Sequence, residues 1–232
     1  MQAMKLPYTE YLRRPSGAPL IYYVTDRHRF PGDEEEKRRR LLTKIAECAA
    51  AQVDYIQLRE KDMSIRDLEH LARNAMGLLP TEGRTKLLIN SRTDVALACG
   101  AHGVHLPAYE LPAAEVRAIF GRLGNIHPVI AVSTHSVEEL AYAEAQGADF
   151  AVFGPVFEKN GDAVGGGLEK LQQACRRPDR AMPVLAIGGV TLQNAQTCLS
   201  AGADGIAAIR MFQEEDVIGV RAALGREVRR ES

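Results

Sequence analysis

The sequence predicts an α/β fold, a single closed (β/α)8 (TIM) barrel, on three observations. Short apolar runs rich in β-branched residues alternate with longer helical stretches, the pattern of parallel strands joined by crossover helices. These runs number eight, which suits closure better than an open doubly wound sheet, and nothing in the order of elements marks a switch point. A weak internal repeat, Gln52-Val53-Asp54-Tyr55, Gly100-Ala101-His102-Gly103, Gly147-Ala148-Asp149-Phe150 and Gly202-Ala203-Asp204-Gly205, precedes the even-numbered strands.

Taken in order, Ile21–Thr25 is the first strand. The acidic run Asp33 to Glu36, followed by Lys37 to Arg40, opens a helix with acid at its positive end. Tyr55–Arg59, Lys86–Asn90 and Gly103–Leu106 are the next three strands. Val129–Ser133 is the fifth, followed by a helix that Ser136 or Thr134 can cap. Phe150–Val156, Pro183–Gly188 and Gly205–Ile209 complete the eight. In three of the four repeats a glycine follows a helical stretch, as a left-handed helix end requires.

The chain has 232 residues, 46% of them hydrophobic, and a formal net charge of −1, enough for one sizeable core of barrel length. All of it, residues 1–232, is read as one domain with a core of about 20–225 and ragged ends at 1–19 and 226–232. No run of eighteen apolar residues and no secretory leader is present in the sequence, so the expected location is the cytoplasm. Cys48, Cys99, Cys175 and Cys198 lack the C-x-x-C spacing of zinc or redox sites and read as buried free thiols. Without a basic stripe, neither nucleic acid nor membrane is an expected partner, while a homo-oligomer stays open.

Barrels of this kind place their active sites at the C-terminal strand ends, and those ends are polar here. Period-two alternation puts Gln57 and Arg59 on one side of the second strand, with Lys61 extending it; two cations beside an amide suit a phosphate or diphosphate. Pairing of Arg59 and Lys61 with Glu60 and Asp62 on a surface loop is the plainer alternative. Gly188 and Gly189 end the seventh strand, where bare backbone N–H groups could meet an anion and open a helix, with Ile209 and Arg210 completing that pocket. Ser133 and His135 follow the fifth strand, and His135 could exchange a proton near neutral pH. His105, within a strand, reads as a satisfied interior histidine.

From Tyr22 to Phe212 these segments together resemble the thiamine phosphate synthases and their relatives, the thiazole tautomerases. The resemblance rests on Tyr23-Val24-Thr25-Asp26, Gln57-Leu58-Arg59-Glu60-Lys61-Asp62, Leu88-Ile89-Asn90, Gly103-Val104-His105-Leu106, Val132-Ser133-Thr134-His135, Gly154-Pro155-Val156-Phe157 and Ala186-Ile187-Gly188-Gly189-Val190-Thr191. It implies a transferase that joins an aminopyrimidine methyl diphosphate to a thiazole phosphate with Mg2+ assisting release of diphosphate. By matching position, Gln57, Arg59 and Lys61 would hold the diphosphate. Asn90 and Ser133 would contact the pyrimidine substrate or its leaving group, and Gly188-Gly189 with Ile209-Arg210 the thiazole phosphate.

Three departures stand out. Ser91 replaces an aspartate that binds magnesium, Glu110 is the only acid near the second ligand position, and Glu158-Lys159-Asn160-Gly161-Asp162 replaces a Thr-x-Thr-Lys loop, leaving Lys159 as the substitute charge. They keep two alternatives in view: a metal-free tautomerase with His135 as proton shuttle, and a non-catalytic binder of phosphorylated thiamine precursors. Synthase chemistry is the expectation adopted.

Overall fold

A computed structural model describes residues 17–123, 127–158 and 166–226. Eight parallel strands close in chain order: β1 Leu20–Val24, β2 Tyr55–Leu58, β3 Lys86–Asn90, β4 Gly103–Leu106, β5 Val129–Thr134, β6 Phe150–Phe153, β7 Val184–Ala186 and β8 Gly205–Ala208, with β8 pairing back to β1. The helices are α1 Glu34–Ala50, α2 Ile65–Gly77, α3 Thr93–Cys99, α4 Ala113–Gly121, α5 Val137–Ala145, α6 Gly167–Cys175, α7 Ala195–Ser200, α8 Arg210–Glu214 and α9 Val217–Arg226. The predicted fold and strand count hold. Four strands are shorter than predicted: β2 and β8 each lack only their last predicted residue, Arg59 and Ile209, while β6 and β7 lose more. β6 stops at Phe153 because Pro155 has no N–H to donate, and β7 loses Pro183 for that reason and Gly188 to a φ of +98°.

The helix boundaries follow local chemistry. Asp33, Ser64 and Ser136 accept from the N–H groups of Glu36, Asp67 and Glu139, capping α1, α2 and α5. On α1 the basic run folds back on the acidic one, Arg38 reaching Glu34 while Arg39 and Arg40 reach Glu36. Gly100, Gly147 and Gly202 have φ of +68°, +77° and +107°, the left-handed turns the repeat predicted.

Outward-facing strand residues and the inner helix faces form one core; Leu20, Tyr22, Tyr55, Leu88, Val129, Phe150 and Leu185 fill the barrel itself. The rings of Tyr55 and Phe150 lie 4.6 Å apart and those of Tyr22 and Phe150 5.6 Å apart, plugging the interior. All four cysteines are free and buried, and burial pushes the thiols of Cys48, Cys175 and Cys198 up to about 12. No described helix is long and apolar enough to cross a membrane.

The internal repeat has a physical meaning at the N-terminal end of the barrel. Each repeat's polar residue makes a two-point latch with the start of the preceding odd strand, giving its backbone N–H to a carbonyl there and accepting the same residue's N–H on its side chain. Asp54 latches Ile21, His102 latches Leu87, Asp149 latches Ile130 and Asp204 latches Val184, with side-chain distances of 2.8, 3.1, 2.7 and 2.8 Å. Arg84, Arg117 and Arg180 pair with the three aspartates. These contacts satisfy strand-end N–H groups that have no partner in the ladder.

Candidate active site

A cavity of about 370 Å³ lies at the opposite, C-terminal end, within the range of small-ligand sites. Each strand contributes one wall residue at or just beyond its end: Val24, Gln57, Asn90, His105, Ser133, Val152, Ile187 and Ile209 in order from β1 to β8. Arg59, Lys61 and His135 join from the loops. The polar groups all come from β2 to β5, while β6, β7, β8 and β1 supply aliphatic side chains. The wall is therefore half polar and half apolar.

Within the polar half, Gln57 donates from Nε2 to Asn90 Oδ1 at 3.0 Å. This leaves the Asn90 amide hydrogens and Gln57 Oε1 for a ligand. Tyr22, His105 and Ser133 form a chain: Tyr22 Oη lies 3.0 Å from His105 Nδ1, and His105 Nε2 lies 2.8 Å from Ser133 Oγ. Burial first, and the Arg59 charge second, push His105 down to about 3, so the ring is neutral at physiological pH. If Nδ1 accepts from Tyr22, Nε2–H donates to Ser133 and the serine proton is left for the cavity. The opposite tautomer turns the serine lone pairs there instead. Either way the imidazole is held at both ends and fixes the Ser133 hydroxyl through Nε2. His105 thus does more than fill the interior, as its sequence position alone had implied.

His135 hydrogen-bonds the Gly154 carbonyl through Nδ1, which must carry the proton for that contact, so Nε2 is the basic nitrogen of the neutral ring. Its backbone N–H donates to Glu139 at 2.7 Å. Arg59 and Lys61 enter on opposite sides of Glu60, and among the described residues neither makes an ion pair. Glu60 and Asp62 turn the other way and bind Arg27, so the surface-loop pairing considered from sequence does not form.

Other predicted residues lie elsewhere. Gly188, Gly189 and Arg210 do not line the cavity. Both glycines have positive φ, and a Cβ on Gly189 would meet the Glu158 carbonyl at 1.9 Å, so close packing against the loop after β6 demands glycine there. The segment does not open a helix at Gly189 as predicted. Asn194 closes a turn by accepting from Thr191 N–H, and the six-residue α7 begins at Ala195. Arg210 starts α8, half-buried, directly after Ile209. Lys159 lies outside the described residues.

Glu110 accepts a hydrogen bond from Ser91, whose φ is +65°, and lines a neighbouring groove between α4 and α5. Among the described residues no three His, Cys, Asp or Glu side chains gather as metal ligands. One carboxylate already engaged by a hydroxyl is not a donor set for a resident divalent ion.

Sequence reasoning missed Val24, Val152 and Ile187 as wall residues. Period-two counting from the predicted strands would have found them, since each occupies the inward position of its strand end.

Residues 21–212 match the family model described as thiamine monophosphate synthase. The chain is 35% identical to the thiamine-phosphate synthase of Clostridium acetobutylicum, covering 82% of this chain and 84% of that protein. Identity to the enzyme of that name in Methanoculleus marisnigri is 39%, over 88% and 92% of the two. Among solved structures, a thiamine phosphate pyrophosphorylase from Pyrococcus furiosus superposes with a TM-score of 0.72 at 29% identity, covering 92% of this chain and 96% of that one.

Proposed function

The chain belongs to the thiamine monophosphate synthase family, and from that premise we propose that its cavity carries out the synthase reaction on two small phosphorylated substrates. The ring nitrogen of a thiazole phosphate attacks the methylene carbon of an aminopyrimidine methyl diphosphate. The carbon–oxygen bond to the diphosphate breaks, and that oxygen leaves with the electron pair. Thiamine monophosphate and diphosphate are the products.

The observation that carries this reading is the division of the cavity wall. Arg59 and Lys61 stand beside Gln57, Asn90 and Ser133, a set that can bind the diphosphate and orient a polar heterocycle. Charge grows on the leaving diphosphate as the bond breaks, so fixed cations stabilise the transition state more than the ground state. Val152, Ile187 and Ile209 offer the apolar face on which the thiazole ring can approach in line, and holding both rings in one cavity supplies proximity. His135 Nε2 can accept a hydrogen bond from the pyrimidine amine. Gly188, Gly189, Arg210 and Lys159 would serve the thiazole phosphate at the rim.

Magnesium enters this reading as an ion chelated by the diphosphate substrate, a binding mode Mg2+ ordinarily adopts, with Glu110 the carboxylate assigned to assist it. Relatives bearing the synthase name leave the tautomerase and binder readings without an observation in their favour. The reading includes a cytoplasmic location.

The test is direct: purified protein is mixed with both substrates, with and without Mg2+, and thiamine monophosphate is followed by mass spectrometry. Product that depends on both substrates is expected, and its absence with verified reagents would refute the proposal.

A further inference from the structure

Along Gln57 to Asp62 the chain alternates between two environments. Gln57, Arg59 and Lys61 face the cavity, whereas Leu58 is fully buried outside it and Glu60 and Asp62 converge on one guanidinium. That guanidinium belongs to Arg27, in the turn after β1, and its side chain is only 5% exposed. Arg27 grips Asp62 with both terminal nitrogens, at 2.7 and 2.5 Å, and reaches Glu60 at 3.1 Å and Glu34 at 2.6 Å. Its backbone N–H also donates to Glu60, whose other oxygen accepts from Thr25 Oγ1 at 2.6 Å. The same Thr25 oxygen accepts the N–H of Arg59 at 2.9 Å. His28 and Arg38 complete the charged surroundings through Asp62 and Glu34.

We propose that Arg27 is a positioning residue for the cationic pair Arg59 and Lys61. It acts in two ways. The clasp fixes the backbone on which both cations ride, removing conformations that a free loop would otherwise lose on binding. It also takes up Glu60 and Asp62, the carboxylates adjacent to those cations in sequence. Left unclasped, these acids would be free to pair with Arg59 and Lys61 and cancel the charge meant for the ligand. The proposal rests on the reading that Arg59 and Lys61 hold the diphosphate group.

The test measures inorganic diphosphate binding by calorimetry, alongside steady-state kinetics with both substrates. For Arg27→Ala the expected result is a diphosphate affinity about tenfold weaker, as for removal of an oriented, charge-assisted contact. The KM of the pyrimidine diphosphate should rise in step while that of the thiazole phosphate is unchanged. Asp62→Asn, at a half-exposed position that tolerates change, should shift both quantities the same way by less, and Arg27→Lys should recover part of the loss. In an Arg59→Ala, Lys61→Ala background, Arg27→Ala should have no further effect. Equal losses in both backgrounds, or wild-type affinity in Arg27→Ala and Asp62→Asn alike, would overturn the positioning role. Failure of the unaltered protein to bind diphosphate at all would instead strike at the reading of the cavity on which the proposal depends.

Discussion

The two ends of this barrel are built on opposite rules. At the N-terminal end one latch is repeated at Asp54, His102, Asp149 and Asp204, each tying two adjacent strands through the same pair of backbone atoms. At the C-terminal end nothing repeats: Gln57, Asn90, His105 and Ser133 all sit at or next to their strand ends but differ in reach and hydrogen-bonding partner. A repeated solution suits a repeated problem, the unpaired N–H at a strand start. A cavity that must distinguish two ends of a ligand needs different groups around its rim. Substitutions at the two ends should therefore separate stability from activity, and four experiments put that separation under strain.

The largest effect is expected from Arg59→Ala, which should lower kcat/KM by about a thousandfold, or about 4 kcal/mol of transition-state stabilisation, while thermal unfolding hardly moves. A large stability loss would mean that this end is structural as well. Asp149→Ala should do the reverse. It leaves Arg117 and the Ile130 N–H without their shared partner, a loss of about 3 kcal/mol in denaturant unfolding with unchanged turnover per folded molecule.

Tyr22→Phe tests a residue that belongs to both ends, part of the aromatic plug and also an anchor of His105. Removing its hydroxyl should reduce kcat/KM by about tenfold through the freed imidazole and Ser133, against a stability change of about 1 kcal/mol. Activity equal to wild type would show that Ser133 needs no support from the interior.

The smallest effect concerns pH. His102 accepts the Leu87 N–H on Nδ1 and must be neutral to do so; burial, then the Lys86 charge, pushes it down to about 4. Unfolding returns it to about 6.5, so between those values the unfolded chain binds protons that the folded chain refuses. Stability contributed by this neutral ring is therefore present above pH 6.5 and lost as pH falls toward 4, with His105 adding in the same direction. Glu60 and Asp149, raised by burial, take up protons in the folded state and oppose the trend. His102→Asn keeps an acceptor without the titration and should flatten the profile between pH 6.5 and 4, as read by unfolding midpoints. An unaltered profile would assign the acid sensitivity elsewhere.

Reading the chain in advance succeeded where the information is local. Alternating apolar runs located all eight strands, and two of them, Lys86–Asn90 and Gly103–Leu106, to the residue, because burial on both faces of a parallel strand leaves a continuous apolar segment. The family motifs carried the catalytic expectation, and six of its polar residues, Gln57, Arg59, Lys61, Asn90, Ser133 and His135, do meet in one cavity. At Gly188 and Gly189 the sequence left the cause open, because glycine answers equally to anion approach and to chain crowding; the structure shows the crowding, a Cβ on Gly189 meeting the Glu158 carbonyl.

By itself, then, the sequence determined the strand count, the closed parallel barrel and the end at which its candidate site lies, since hydrophobic period and chain order are written residue by residue. Only the tertiary structure decided that His105 is pinned between Tyr22 and Ser133, that Arg27 holds Glu60 and Asp62 away from Arg59 and Lys61, and that the four repeats are latches. Each of these pairs residues from different strands or loops, distant along the chain, and their partnership exists only once closure of the barrel has set the distances and removed the competing water.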